Sequence, residues 1–231
     1  AYDPETKTTI VTYENSNIDI VQNNKVYNIS DIRIRSIEGS KEINSIYFND
    51  SKAYLSCGFG IVVLDLKRKE IYDTYYVGEN SSKIKVYAVT INDTSIFAAS
   101  VNGLLYAPKN STALAASQTW KQLPNIANKG KDNLEITNLL SLGNGKILIT
   151  LPIAETTFCD VYTFDGENWT NIFENEYIKA LRLSEGKFIK IAYRSLNIYD
   201  VNNLVNGGEI YHLSDEWNPV HGIHLDVNDA I

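Results

Sequence analysis

The chain contains no methionine and only two cysteines. It also lacks any run approaching the ~18 apolar residues a membrane helix needs, so no insertion of this segment into a membrane is expected. Positive charge is in short supply: 21 Lys and Arg stand against 28 Asp and Glu, a net charge of -7. Nonspecific nucleic-acid binding depends on basic surface and is thereby excluded as the main task. The acidic excess is ordinary solvated surface and names no partner. No Gly-x-Ser-x-Gly elbow is present, and no glycine loop of the kind that cradles phosphate. The missing methionine fits a chain that does not start at its natural initiator. Ala1 to Lys7 holds no charged-then-apolar leader, so a signal peptide is expected to be already removed or to lie upstream.

Hydrophobic residues make up 44% of the chain, enough for a globular core, and they recur in one pattern. Ala53-Tyr-Leu-Ser-Cys-Gly-Phe-Gly-Ile-Val-Val-Leu-Asp65 reads as a strand, a glycine hairpin and a second strand. Related stretches begin at Ile10, Ile96, Ile147, Phe188 and Ala230, giving spacings of 43, 43, 51, 41 and 42 residues. A period in this range, built only of short strands, predicts an all-β fold, a β-propeller of about five four-stranded blades. The expected single domain covers 1–231, with blades near 1–35 plus 218–231, 36–80, 81–126, 127–174 and 175–217.

Each later repeat opens with a strand whose third residue is small: Ser45, Ala88, Asn138, Ala180 and Gly222. Small residues belong on innermost strands, where backbones crowd toward the axis. Asn49-Asp50, Asn92-Asp93, Asn144-Gly145 and Glu185-Gly186 are hairpin signals that follow these strands. Trp120 to Leu123 and Trp169 to Phe173 suit partly wet outer strands. Asp31 to Lys41 reads as a polar connector, Ala107 to Thr119 (with Ala113-Leu-Ala-Ala116) as an insertion that makes a helical turn, and Pro152 to Thr157 as a lengthened hairpin. The first repeat shows three strands, so the terminal strand Val220 to Leu225 either completes it and closes a five-bladed ring or belongs to a larger one. Cys57 and Cys159 lie one whole repeat apart, too far to bridge across a ring; Cys57 reads as a small packing residue.

In a propeller the entries to the innermost strands and the hairpins between second and third strands share one face, where loops vary without disturbing packing. The candidate ligand-binding residues there are Asn44, Tyr87, Thr137, Lys179, Arg194 and His221, with Asn15, Phe59 and Asn102 on neighbouring hairpins. The mixture of polar and aromatic types fits a carbohydrate or protein contact surface, and equally a solvated rim. His221 and His224 are three apart on a strand and face opposite ways, so with His212 they are expected to hold no metal. Glu42 and Glu135 precede equivalent strands and have the residue type of a glycosidase carboxylate pair, or of solvated charge. No catalytic residue and no cofactor is expected.

Tyr54 to Asp65, continuing through Lys69-Glu-Ile-Tyr-Asp-Thr-Tyr-Tyr-Val-Gly78, resembles the amino-terminal propellers of Bacteroidetes surface proteins of type IX secretion. These are related to the propeller protein that delivers anionic lipopolysaccharide to a sortase. The blade motif is also similar to the two-component-regulator propeller repeats of periplasmic sensors in that phylum. Asn15 to Asp19, Asn44 to Phe48 and Gly103 to Tyr106 extend the likeness over nearly the whole chain. The resemblance implies an exported, periplasmic or cell-surface, non-enzymatic propeller, a scaffold or binding module for surface polysaccharide or an envelope protein. It also implies a longer polypeptide with further blades and a carboxy-terminal domain. The alternatives are a ligand-sensing propeller of a two-component regulator and a propeller glycan hydrolase or lyase.

Overall fold

The computed structural model describes residues 1–128, 136, 138–184, 186–192, 195–204 and 208–212. They form five sheets of four antiparallel strands, each strand beside its sequence neighbour. Blade 1 holds β1 (Tyr2–Asp3), β2 (Thr8–Thr12), β3 (Ile18–Gln22) and β4 (Lys25–Ile29); blade 2 holds β5 (Ile43–Asn49), β6 (Lys52–Cys57), β7 (Gly60–Asp65) and β8 (Glu70–Tyr75). Blade 3 comprises β9 (Val86–Ile91), β10 (Ser95–Ser100), β11 (Gly103–Pro108) and β12 (Lys121–Gln122). Blade 4 comprises β13 (Leu139–Gly143), β14 (Lys146–Pro152), β15 (Cys159–Phe164) and β16 (Trp169–Glu176). Blade 5 comprises β17 (Ile178–Ser184), β18 (Lys187–Ala192), β19 (Ser195–Asp200) and β20 (Glu209–His212). The expected β-propeller is the observed architecture.

Radial order shows in the first strands, where β5 lies against β9, β9 against β13, and β13 against β17. Side chains tie these inner strands together. The Asn44 amide donates to the Val86 carbonyl at 2.8 Å, the Tyr47 hydroxyl to Ile91 at 3.2 Å, and the Asn92 amide to Gly145 at 2.6 Å. Each of these bonds gives a main-chain carbonyl of the next blade a side-chain donor.

Alternate residues of each middle strand supply the two faces of a blade. Ala53, Leu55 and Leu64 pack on Ile10, Ile18 and Ile20 of blade 1, whereas Tyr54, Ile61 and Val63 pack on Val89, Ile96 and Ala98 of blade 3. Phe97 and Ala99 meet Ile147 and Ile149, and Leu148 and Val161 meet Leu181 and Phe188. Four apolar clusters thus join five blades in sequence. This two-sided burial explains why strict alternation is missing from the middle repeats.

Three expectations change. The inner place of blade 1 is occupied by the chain's own Tyr2–Asp3, paired to Thr9 and Thr8, so that sheet already has four strands; Val220 to Leu225 lies outside the described residues. The register of the first repeat moves by one. Ile10 faces the following blade, as Tyr54 does, so the counterpart of Ala53 is Thr9, 44 residues earlier. The cause is the β2–β3 hairpin, which has five residues between the paired Thr12 and Ile18 where blade 2 has four between Ser56 and Ile61. One extra residue flips every side chain of a strand. Finally, the connector after β4 begins with a helical turn, α1 (Asp31–Ile34), that buries Ile32 against the core shared by blades 1 and 2.

The glycine hairpin of blade 2 needs its second glycine. Gly60 has φ +140, and a side chain there would run into the Tyr75 carbonyl on β8. Ala113 to Ala116 forms turns that lead into a 3-10 turn at Ser117–Thr119, and residues 153–158 make the lengthened hairpin. Both cysteines are free, and burial pushes the Cys57 thiol up to about 12, as befits a packing residue.

A repeated aspartate turn closes the third strand of three blades. Asp65 accepts from the Arg68 and Lys67 N–H groups, both at 2.9 Å; Asp165 accepts from Asn168 at 2.7 Å and Glu167 at 3.0 Å; Asp200 accepts from Asn202 at 2.9 Å. These main-chain donors hold all three carboxyls below their usual range. A lowered folded value means the stabilisation is present above the unfolded pKa of ~3.9 and is lost as pH falls through the folded value. The variant carrying Asp65→Asn, Asp165→Asn and Asp200→Asn is therefore expected to unfold at lower urea than the parent at pH 7. The two midpoints should approach each other as pH falls below the unfolded value and through the lowered folded values of the parent carboxyls. A gap that persists in acid would show that geometry, not charge, makes the difference.

Candidate functional site

The strand-entry face is built by main-chain bonds. The carbonyl of Glu42, just before β5, accepts from Gly58 N–H at 2.8 Å, and that of Lys85, just before β9, accepts from Val101 N–H at 3.1 Å. In both blades this ties the inner-strand entry to the hairpin between second and third strands, so the two lie on one face as the propeller pattern requires. Ser16, buried at φ 64 in the blade 1 hairpin, adds its hydroxyl to the Lys41 carbonyl at 2.8 Å.

Asn44, half-buried, spends its amide on the Val86 carbonyl. Next to it Glu42 pairs with Lys85 at 3.1 Å, and the Lys85 ammonium stands 5.2 Å from the centroid of the Tyr87 ring. The structure therefore gathers Asn44 and Tyr87, with Glu42 and Lys85, at the junction of blades 2 and 3. Lys179 is exposed near the start of β17, at the entry of blade 5. Thr137, Arg194 and His221 lie outside the described residues, as do Glu135 and His224. Asn15 and Asn102 are exposed on their hairpins.

Phe59 is a correction. It is 1% exposed and packs in the core between blades 1 and 2, its ring 6.5 Å from that of Tyr76. The hairpin apex folds inward because Ile32 and Ile37 of the connector close over it. Between the connector and blade 2 a cleft of about 250 Å³ remains, lined by Ile32, Arg35, Phe59, Thr74 and Tyr76 among others. That is smaller than the ~300 Å³ at which small-molecule pockets begin.

Two features of the face escape a sequence reading. Lys85 is recognisable only once Glu42 and Tyr87 are seen beside it. Phe158, exposed in the long blade 4 hairpin, meets Tyr177 at the entry of β17 edge-on, with centroids 6.1 Å apart. Exposed ring edges and faces beside cations are suited to stacking on sugars and to holding anionic groups. Among the described residues no group of three or more His, Cys, Asp or Glu side chains is placed to hold a metal ion. The Glu42 carboxylate is drawn into the ion pair with Lys85.

The fold recurs in known proteins. PorZ, described as an essential bacterial surface component of the type IX secretion system of Porphyromonas gingivalis, superposes with a TM-score of 0.71 over 93% of this chain at 18% identity. An extracellular domain ascribed to the hybrid two-component system BT4673 of B. thetaiotaomicron superposes at 0.59 over 95% of the chain at 14% identity. The dihydro-haem d1 dehydrogenase NirN matches at 0.53 over 87% at 10% identity. At such identities these likenesses show the shared fold, which hosts unrelated tasks. The chain spans only 27% and 28% of the length of the first two structures. No curated protein matches it. A family model for the N-terminal β-propeller domain of PorZ, of the type IX secretion system, matches residues 1–121, somewhat more than half of the sequence. The chain belongs to the family of PorZ N-terminal β-propeller domains.

Proposed function

We propose that the chain is a non-enzymatic binding and scaffold propeller of the bacterial cell envelope, exported and engaged with secretion machinery or surface polysaccharide. Membership of a family named for a type IX secretion component carries this reading. The strand-entry face supports it: its carboxylate Glu42 is neutralised by Lys85, while Tyr87, Phe158, Tyr177 and Lys179 offer rings and positive charge. Deleting the gene is expected to block surface delivery of type IX cargo. Normal delivery in the deletion strain would overturn the scaffold role.

On this reading the ligand side of the face takes an anionic glycan weakly, through Lys179 and Arg194. Rim charges of this kind contribute up to ~1 kcal/mol each, so replacing both by alanine should weaken binding about tenfold in low salt. The difference should shrink as salt is raised. Unchanged affinity in the double variant would remove the ligand from this place.

A ligand-sensing propeller of a two-component regulator is the second reading. The shared fold with the BT4673 domain supports it. Loss of a glycan-induced transcriptional response in the deletion strain, with cargo delivery intact, would establish it instead. Turnover of any member of a broad glycan panel, abolished by Glu42→Gln or Glu135→Gln, would replace both readings with a hydrolase or lyase.

A further inference from the structure

The connector that follows blade 1 carries two arginines, Arg33 and Arg35, both exposed. Among the described residues neither is in an ion pair, although Asp31 and Glu38 stand on the same connector. Between them Ile34 leaves 69% of its surface to solvent. Arg35 also lines the cleft of about 250 Å³ beside blade 2, whose other walls include Ile32, Phe59, Val62 and Thr74. No Asp or Glu side chain lines that cleft. An apolar hollow and two uncommitted guanidiniums therefore stand side by side.

The hollow is shaped before anything enters it. The N–H groups of Ile34 and Arg35 close the helical turn on the Ser30 and Asp31 carbonyls, both at 3.0 Å. The Lys41 ammonium donates to the Arg33 and Arg35 carbonyls, and the Ser16 hydroxyl holds the Lys41 carbonyl at 2.8 Å. A site fixed in this way loses little further freedom on binding. Its size and lining select the occupant. A sugar would bring hydroxyls against Ile32, Phe59 and Val62, which offer them no partner. A long acyl chain would outgrow the space. One apolar side chain presented by a peptide fits, and carboxylates next to it in that peptide answer the arginines, each of which can hold a carboxylate through two parallel N–H bonds.

We propose that this cleft docks an acidic linear segment of a partner protein, which seats one apolar side chain against Phe59 and Val62 and sets flanking Asp or Glu carboxylates on Arg33 and Arg35. Ile34 adds apolar contact at the rim. The site shares no residue with the Lys85–Tyr87 or Phe158–Tyr177 pairs, so it stands independently of what the strand-entry face binds. The buried side chain supplies most of the affinity, and the exposed charges supply its preference and its sensitivity to salt.

The test is fluorescence anisotropy of labelled heptapeptides Gly-Asp-Glu-Xaa-Asp-Glu-Gly, with leucine, phenylalanine or serine at the fourth place, against the polypeptide as its cell makes it. The leucine or phenylalanine peptide is expected to bind at least about tenfold more tightly than the serine peptide. It should also bind more tightly than its lysine-flanked counterpart, although the net charge of -7 favours the latter at long range. Arg33→Gln with Arg35→Gln should weaken the better peptide about tenfold in low salt, and the difference should shrink as salt is raised. Thr74→Phe, on a strand that accommodates aromatic residues, should fill the cleft and abolish binding. The arginine variant lies wholly on the surface and keeps the test decisive if the filled variant melts lower. No binding up to millimolar concentration, equal binding of the serine peptide, or an affinity untouched by the arginine variant would each overturn the proposal. So would tighter binding of decanoate than of any peptide, which would assign the cleft to an acyl chain.

Discussion

Replacing Glu176 by glutamine is expected to lower stability by about 3 kcal/mol, whereas Lys190→Met should cost about 1 kcal/mol or nothing. The asymmetry follows from where the two side chains sit. Lys190 is 5% exposed and Glu176 30%, with 2.9 Å between their charges. Removing the carboxylate strands an ammonium in the blade 4–blade 5 junction. Rings 4.3 Å and 5.9 Å away, those of Phe173 and Tyr199, offset part of that charge, which holds the loss to the lower end of the ~3–5 kcal/mol range for a broken buried pair. Removing the lysine instead leaves a carboxylate that reaches water and a methionine that fills the space among those rings. In a chain of this size the glutamine variant should melt about 6–12 °C lower. Equal losses in the two variants would contradict the burial argument.

The second large effect is at Phe59. Truncation to alanine should remove about 3–5 kcal/mol, because the ring is enclosed by the core of blades 1 and 2 and its loss opens a void continuous with the neighbouring cleft. Urea unfolding with an unchanged slope and a lower midpoint is the expected signature. A loss under ~1 kcal/mol would mean that the hairpin apex is not packed.

Phe59 also shows where sequence reasoning reaches its limit. The period, the strand pairs and the asparagine and glycine turns are local signals, and the five sheets follow from them. Whether a hairpin apex points to water or inward depends on Ile32 and Ile37, some twenty residues away, and no local pattern encodes that. The register of the first repeat was hidden for a similar reason. Ile10 and Ile18 match the motif in either frame, and only the blade that packs on them tells the frames apart. Lys190 sits in Phe188-Ile-Lys-Ile191, where alternation alone would send it to solvent; its counter-charge comes from the preceding blade. Asn44 stands at the expected entry, yet its amide serves the Val86 carbonyl. Tyr87 and Lys179 also lie at their expected entries, because inner-strand ends are set by the repeat itself.

The bonds that hold Glu42 to Gly58 and Lys85 to Val101 run between peptide groups alone. They are indifferent to which side chains stand at 42, 85 and 101, whereas a side chain at Gly58 would run into the Ser40 carbonyl. Side chains at these three rim places can therefore drift, one substitution at a time, from acid to base or from aliphatic to aromatic, while the main-chain frame beneath them stays as it is.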